Sequence, residues 1–173
     1  MLRIALIYGL LSGIVSCIPF LLFPMSSADD MDMKNATIVG LACIIIAAAF
    51  IFVAIISYRK KLGGAISFRE AFVSGLYVAL ISALFYASVW EVYYHTKGKN
   101  FVEVYTTMQV RQMEKNKRSA PEIEKRKQEM QKWGTDYRKF PVRFITTVGE
   151  VLPVGIVVSL IAAAILKRKN EEE

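Results

Sequence analysis

The sequence predicts an all-α fold: a bundle of four transmembrane helices, with a helical hairpin outside the membrane between the third and the fourth helix. Of the 173 residues, 54% are apolar, a higher share than in ordinary soluble domains. These residues are gathered into four long runs, at 4–24, 36–57, 71–94 and 142–166. Each run would make a helix of roughly 30 Å or more, which matches the hydrocarbon core of a bilayer. We therefore treat residues 1–173 as a single integral membrane domain.

The first apolar run has two interpretations, a retained helix or a secretory signal peptide. Arg3 precedes it, and the small residues at 26–28 could form a cleavage site. The apolar core is about 20 residues long, however, whereas the apolar region of a signal peptide is usually about 7–15. We expect a retained first transmembrane helix.

The second connection contains the stretch that looks most like a motif, YRKKLGGAISFREAF at 58–72. Gly63 or Gly64 can supply the positive φ that ends a helix. Ser67 and Glu70 have the spacing of a capping box, in which each side chain bonds the backbone amide of the other residue. A phosphate-binding loop would need GxxxxGK[ST] after a strand, and this stretch has neither. The pattern therefore predicts one helix end and the next helix start.

The third connection, 95–139, is long and basic, with 12 Lys/Arg against six Asp/Glu. An apolar stripe at helical spacing opens it, at Phe101, Val104, Tyr105 and Met108. Ser119 and Glu122 form a second capping box, and Trp133-Gly134 is the predicted end of the helix that follows. This pattern predicts a helical insertion over 101–133, a hairpin resting on the membrane surface.

The orientation depends on which basic residues are counted. Arg3, the cluster at 59–61 and the cluster at 167–169 share one side of the membrane, opposite the acidic connection at 25–35. By the positive-inside rule, both termini are then cytoplasmic. A raw count that includes the 12 basic residues of 95–139 favours the reverse orientation. We give more weight to the clusters next to the helix ends, and predict that both termini are inside.

Small residues recur at four-residue spacing inside the runs. The stripes include Gly9 and Gly13 in the first run, Gly75 in the third and Gly155 in the fourth. Such stripes let helix backbones approach closely in a membrane, where hydrophobicity does not drive association. They predict a compact bundle and leave homo-oligomerisation as a hypothesis.

Four charged or titratable residues within or beside the runs form a candidate polar pocket: Glu91, His95, Arg143 and Glu150. Glu150 lies roughly 9–12 Å into the fourth run by helical rise. A carboxylate at that depth costs about 2–3 kcal/mol unless it is paired or hydrated. One hypothesis is a pocket that binds a cation or a proton. The alternative, which we favour, is that Glu150 pairs with Arg143 or Thr146 while Glu91 and His95 lie in the membrane interface.

The sequence contains no motif for a catalytic site, a metal site or a nucleic-acid-binding surface. A single histidine excludes HExxH and a His-rich metal site, and there is no GxSxG motif. Cys17 and Cys43 are interpreted as small apolar side chains in a dry interior. The basic residues of the third connection alternate with glutamates and lack a stacking surface, so we predict no nucleic-acid partner. We expect no catalytic residue, cofactor or metal.

Four motifs together resemble a known family. They are YGLLSG in the first run, SYRKKLGGAISFREAFVSG across the second connection, SAPEIEKRKQEMQKW before the last run, and SLIAAAILKRK at its end. The chain resembles the small bacterial integral membrane proteins of domain of unknown function 4199 over nearly its whole length. The resemblance implies a four-helix domain in the bacterial cytoplasmic membrane, with a helical insertion before the last helix. It implies no activity, cofactor or catalytic residue.

Two functions follow as hypotheses. The first is a non-enzymatic scaffold or accessory subunit that uses the 101–133 hairpin as a contact surface for another membrane protein. The second is a small oligomeric transporter coupled to a cation or a proton, with Glu150 as the coupling carboxylate. In either case the lipid bilayer is the one partner that the composition itself predicts.

Overall fold

The computed structural model describes residues 1–23 and 33–168, which contain six α-helices. They are α1 Leu2–Leu22, α2 Met33–Lys61, α3 Phe68–Thr96, α4 Phe101–Lys115, α5 Ala120–Tyr137 and α6 Phe140–Leu166. The four apolar runs fall in α1, α2, α3 and α6, and the insertion forms α4 and α5, so the predicted all-α fold is confirmed. Most of the acidic connection, the small residues at 26–28 and the tail beyond 168 lie outside the described residues.

Four helices in the described part of the chain are long and apolar enough to cross a membrane. Their most apolar windows have a mean hydropathy of 1.8 to 3.1. Large apolar side chains point outward along them, including Ile45 and Ile145, each 70% exposed. Together these features indicate a membrane-embedded protein.

Helix α3 lies at the centre of the bundle and packs on both α1 and α6. The small-residue stripes make these contacts: a Cβ built on Gly75 would lie 2.9 Å from Ser159 Oγ, and one on Gly155 would lie 2.6 Å from Ala79 Cβ. The first stripe, Gly9 and Gly13, lies against large side chains of α3 in the same way. Within the described chain, the predicted close-packing stripes are therefore used inside one molecule, between its own helices.

The 58–72 stretch has the predicted local structure. Gly63 and Gly64 have φ of +85° and +102°, and both hydrogen bonds of the Ser67–Glu70 capping box are present. The structure adds a contact that the sequence did not predict. Ile66 and Arg168 exchange backbone hydrogen bonds of 2.9 Å in both directions, which ties this connection to the end of α6.

Helices α4 and α5 form the predicted hairpin, but α5 does not stop at Trp133-Gly134. It continues to Tyr137 and includes Gly134, which faces the side chain of Val102 at a distance where no Cβ would fit. The glycine thus serves the close packing of the two helices, and the predicted end at 133–134 is wrong.

An aromatic cluster joins the base of the hairpin to the bundle. Its buried members are Trp90, Tyr93, Tyr94, Phe101, Val102 and Tyr137. All residues from 97 to 139 are described, and none of them is an exposed large hydrophobic residue. The apolar stripe of α4 is therefore covered by α5 and the bundle, and the outer surface of the hairpin is polar.

Candidate functional site

Arg143 and Glu91 form a buried ion pair at the end of the bundle next to the hairpin. Arg143 Nε donates to Glu91 Oε1 at 2.9 Å, and Nη2 donates to Oε2 at 2.5 Å. Arg143 is 1% exposed and Glu91 is 9% exposed. This two-point geometry is the strongest arrangement available to a guanidinium and a carboxylate, and burial shields it from solvent.

The other donors of Arg143 are also occupied. Nη1 donates to the backbone oxygens of Tyr137 at 3.3 Å and Arg138 at 3.1 Å, and Nη2 lies 3.3 Å from His95 Nε2. A guanidinium carries five N–H groups, so each of them has an acceptor here. The two carbonyls are those that the end of α5 leaves without helical partners. Arg143 thus connects α3, the end of α5 and the start of α6.

His95 lies at the edge of this group, with its side chain 67% exposed. Its Nε2 lies 3.7 Å from Glu91 and 3.3 Å from Arg143. Because arginine can only donate, the contact with Arg143 requires the histidine tautomer that carries its proton on Nδ1. Glu91, His95 and Arg143 therefore come together as the sequence suggested.

Aromatic rings close the group on its inner side. The guanidinium of Arg143 lies 3.9 Å from the ring centre of Tyr94. Trp90 Nε1 donates to the hydroxyl of Tyr137 at 2.9 Å. Burial raises the pKa of Tyr137 to about 12, because its phenolate form would lose water contact. Tyr137 consequently stays protonated at any physiological pH.

Glu150 does not join the group, and its predicted pairing with Arg143 or Thr146 is wrong. It follows Arg143 by seven residues, about 10 Å along the α6 axis. The donors of Arg143 are occupied by other acceptors, and Glu150 forms no hydrogen bond or ion pair with any described residue. The structure therefore divides the predicted pocket into a closed ion-pair group and a separate carboxylate.

The Glu150 side chain lines a cavity of about 290 Å³ between α1, α2, α3 and α6. Most of the lining is apolar, from α2 and α6 above all. The polar side chains in the lining are Ser12, Ser16, Ser82, Tyr86 and Glu150, with Cys43 beside them. The cavity lies within the four long apolar helices, away from the hairpin.

The serines of this cavity use their hydrogens within the protein. Ser12 Oγ donates to the backbone oxygen of Ala47 at 3.1 Å, Ser82 Oγ donates to Ser12 Oγ at 3.1 Å, and Ser16 Oγ donates to the backbone oxygen of Ser12 at 2.9 Å. A hydroxyl has one hydrogen and two lone pairs, so Ser16 and Ser82 retain capacity to accept. With the carboxylate of Glu150, these oxygens give the cavity several hydrogen-bond acceptors. The hydroxyl of Tyr86, which has no hydrogen-bond partner among the described residues, adds one donor.

The comparison with protein families shows which family the chain belongs to. A family described as "Protein of unknown function (DUF4199)" matches residues 7–168, nearly the whole chain. The chain belongs to this family. No curated protein and no solved structure matches it. The resemblance seen in the sequence is thus confirmed.

The remaining predicted site chemistry in this DUF4199 chain concerns metals and cysteines. Within residues 1–23 and 33–168, no group of three or more His, Cys, Asp or Glu side chains is placed to hold a metal ion. Cys17 and Cys43 are both free thiols and both buried. They occupy the interior that the sequence predicted for them, and Cys43 lines the cavity.

Sequence reasoning missed that Ser12, Ser16, Ser82 and Tyr86 line the same cavity as Glu150 in this DUF4199 chain. A weak signal was present, since Ser12 and Ser16 are one turn apart and would share a face of the first helix. The sequence did not reveal that Ser82 of the third helix faces them. That relation depends on how α1 and α3 are rotated against each other.

Proposed function

We propose that this DUF4199 chain is a non-enzymatic multi-pass protein that binds a cation or a proton at Glu150 and moves it across the membrane. The observation that carries the proposal is the unpartnered Glu150 carboxylate in an acceptor-lined cavity within four apolar helices. A carboxylate at membrane depth costs about 2–3 kcal/mol without a partner. A bound cation or proton supplies that partner.

Glu91 provides the internal contrast. Its carboxylate meets Arg143 in a closed group that has a structural role. Glu150 has neither a countercharge nor a structural hydrogen bond among the described residues. Of these two carboxylates, Glu150 is therefore the one available to a ligand.

The test is ion flux in proteoliposomes with an imposed pH gradient, followed by a pH-sensitive dye inside the vesicles. The wild-type chain is expected to dissipate the gradient, and Glu150→Gln is expected to slow dissipation at least tenfold. Glu124→Gln is the matched control, because Glu124 is exposed on the hairpin. Equal rates for the wild-type chain and Glu150→Gln would refute the proposal.

We also propose that the chain resides in the bacterial cytoplasmic membrane with both termini inside. The basic ends of α2 and α6 support this orientation, since they lie together: Arg59 Nη1 donates to the backbone oxygen of Leu166 at 3.2 Å. In intact cells, a membrane-impermeant thiol reagent should label a cysteine introduced by Lys125→Cys but not one introduced by Leu62→Cys. The reverse pattern, or labelling of both, would contradict the orientation.

The scaffold function stays a prediction. What supports it is the aromatic cluster, which fixes the hairpin base to the bundle and so gives α4 and α5 a defined position. Because the hairpin exposes no large hydrophobic residue, a partner would have to bind through polar contacts. The double variant Lys125→Glu, Lys127→Glu should then remove co-purifying partners while membrane insertion persists, and unchanged co-purification would count against this function.

A further inference from the structure

We propose that the ligand of the Glu150 cavity is a protonated organic amine with a compact apolar body, which enters sideways from the bilayer between α2 and α6. This inference rests on the proposed function, since it names the ligand of the same site. The size of the cavity, its hydrogen-bonding groups, its apolar lining and the position of its opening all fit such a ligand.

The size and ligand set do not suit a bare metal ion. Calcium takes about six to eight oxygen ligands, and magnesium requires near-octahedral coordination with several retained waters. The cavity offers one carboxylate, three serine hydroxyls and one phenol. Its volume of about 290 Å³ instead lies near the lower end of sites for small organic ligands, which are about 300–1,000 Å³.

The hydrogen-bond pattern selects a cation that carries N–H groups. The hydrogens of Ser16 and Ser82 are donated within the protein, which leaves their oxygens as acceptors beside Glu150. A primary ammonium has three donors and no acceptor, so it complements this surface. A quaternary ammonium would satisfy the charge of Glu150 but not the hydroxyl oxygens. An anion would be repelled by the carboxylate.

The apolar part of the cavity lining favours a ligand that carries an apolar group next to its ammonium. Ala47 and Ile51 of α2 and Val154 and Val158 of α6 are part of its lining. These side chains cannot hydrogen-bond to a ligand, and burial of an apolar chain against them is favourable. With a small hydrated ion in the cavity, these apolar side chains would remain in contact with water. The alkyl or aryl group of a short amine would instead be buried against them.

The opening of the cavity lies on the outer surface of the bundle. Ile44 of α2 and Val154 of α6 both line the cavity, yet they are 52% and 49% exposed. Gly40 is also part of the lining, and a Cβ built there meets nothing within 4 Å. All three belong to the long apolar helices, so the opening faces the acyl chains. An amphipathic amine concentrates in the bilayer and can reach Glu150 directly from it.

The experiment is equilibrium binding of radiolabelled n-hexylamine to the full chain in phosphatidylcholine nanodiscs, with empty nanodiscs subtracted. We expect saturable binding to one site per chain. Unlabelled n-hexylamine should displace it, whereas n-hexyltrimethylammonium, hexanoate and sodium should displace it at least tenfold less well. Equal displacement by the trimethyl compound or by sodium would overturn the proposal, as would the absence of saturable binding.

Two variants with a matched control locate the site. Glu150→Gln should weaken binding at least tenfold. Gly40→Leu should do the same by filling the opening, since the added side chain enters open space and does not disturb the packing. Gly149→Leu is the control, because Gly149 also has open space around it but does not line the cavity. Wild-type binding by Gly40→Leu would overturn the proposed route.

The outcomes separate this inference from the proposed function. If n-hexylamine does not bind saturably but Glu150→Gln still abolishes dissipation of the pH gradient, the amine inference fails and the transport function stands. If dissipation of the gradient is the same in both chains while the amine binds at Glu150, the transport function fails. The chain would then be a membrane receptor for amines.

Discussion

Glu91 and Arg143 are 52 residues apart in the chain, and they form a bidentate ion pair where the hairpin joins the bundle. The pair links α3 to the first turn of α6, and through Arg143 it reaches the carbonyls that end α5. One buried group thus holds three helix ends in a fixed arrangement.

The first prediction concerns this pair. Glu91→Gln should lower the free energy of unfolding by about 3–5 kcal/mol, because it leaves the guanidinium of Arg143 buried without a countercharge. The double variant Glu91→Gln, Arg143→Met should recover more than half of the loss, since no unpaired charge remains. Denaturant unfolding in a mild detergent measures both.

The control for the pair is Asp136→Asn, which breaks the exposed ion pair of Asp136 with Lys139 at 2.8 Å. Its effect should be about 0.2–1 kcal/mol, as for other solvent-exposed pairs. If Glu91→Gln cost no more than this control, the ion pair would not have the structural role described above.

The second prediction concerns the small-residue stripes. Gly155→Leu should prevent the close packing of α6 on α3, because a Cβ at this position would already lie 2.6 Å from Ala79 Cβ. We expect a loss of about 1–3 kcal/mol or more, as for overpacked cores. Gly149→Leu, on the same helix but with open space around it, should be tolerated. Equal thermal stability of the two variants in detergent would contradict the packing described here.

The third prediction concerns the second connection. Gly63→Ala should cost about 1–2 kcal/mol, because φ of +85° places Cβ too close to the following carbonyl oxygen. No side chain lies within 4 Å of that Cβ, so the cost comes from the backbone alone. Hydrogen exchange at the Ile66 amide, which bonds Arg168 O, should become faster. Unchanged exchange at Ile66 would show that the link to α6 does not depend on this turn.

The fourth prediction is a pH dependence at the start of α5. Hydrogen bonds from the backbone amide and hydroxyl of Ser119 lower the pKa of Glu122. A lowered pKa means that the folded state favours the carboxylate, so the cap contributes its full stability above the ordinary pKa of glutamate. That contribution is lost as the pH falls through the lowered pKa.

Hydrogen exchange measures this effect as protection factors for the first turn of α5. In the wild-type chain, protection should stay constant above the ordinary pKa of glutamate and fall as the pH is lowered from there through the lowered pKa of Glu122. In Glu122→Gln, which cannot titrate, protection should change little over the same range. A fall of equal size in both chains would show that another group is responsible.

Much of the fold could be predicted because it rests on local interactions. A capping box joins residues three apart, and a glycine pair ends a helix through its own backbone preference. The pattern Gly63-Gly64-x-x-Ser67-x-x-Glu70 can therefore be interpreted without knowledge of any tertiary contact. Length and apolarity identify the long helices in the same way. The family motif at 58–72 lies in such a locally determined segment.

The partners of the polar residues could not be predicted, because they depend on the rotation and depth of one helix against another. Arg143 and Glu150 are seven residues apart and share a face of α6, which made a common pocket plausible. About 10 Å of axial distance places them at different levels of the bundle, and each level has its own neighbours on α3. Arg143 forms an ion pair with Glu91, whereas Glu150 lines a cavity.

The sequence by itself determined the number of long apolar helices, the position of the hairpin, the caps and turns, and the family, since each follows from neighbouring residues or from composition. The tertiary structure decided which carboxylate is paired, that Gly134 packs against Val102 within a continuing helix, and that Ser12, Ser16 and Ser82 surround one cavity with Glu150. The physical reason is that such contacts join residues far apart in the chain, through helix packing that no local pattern encodes.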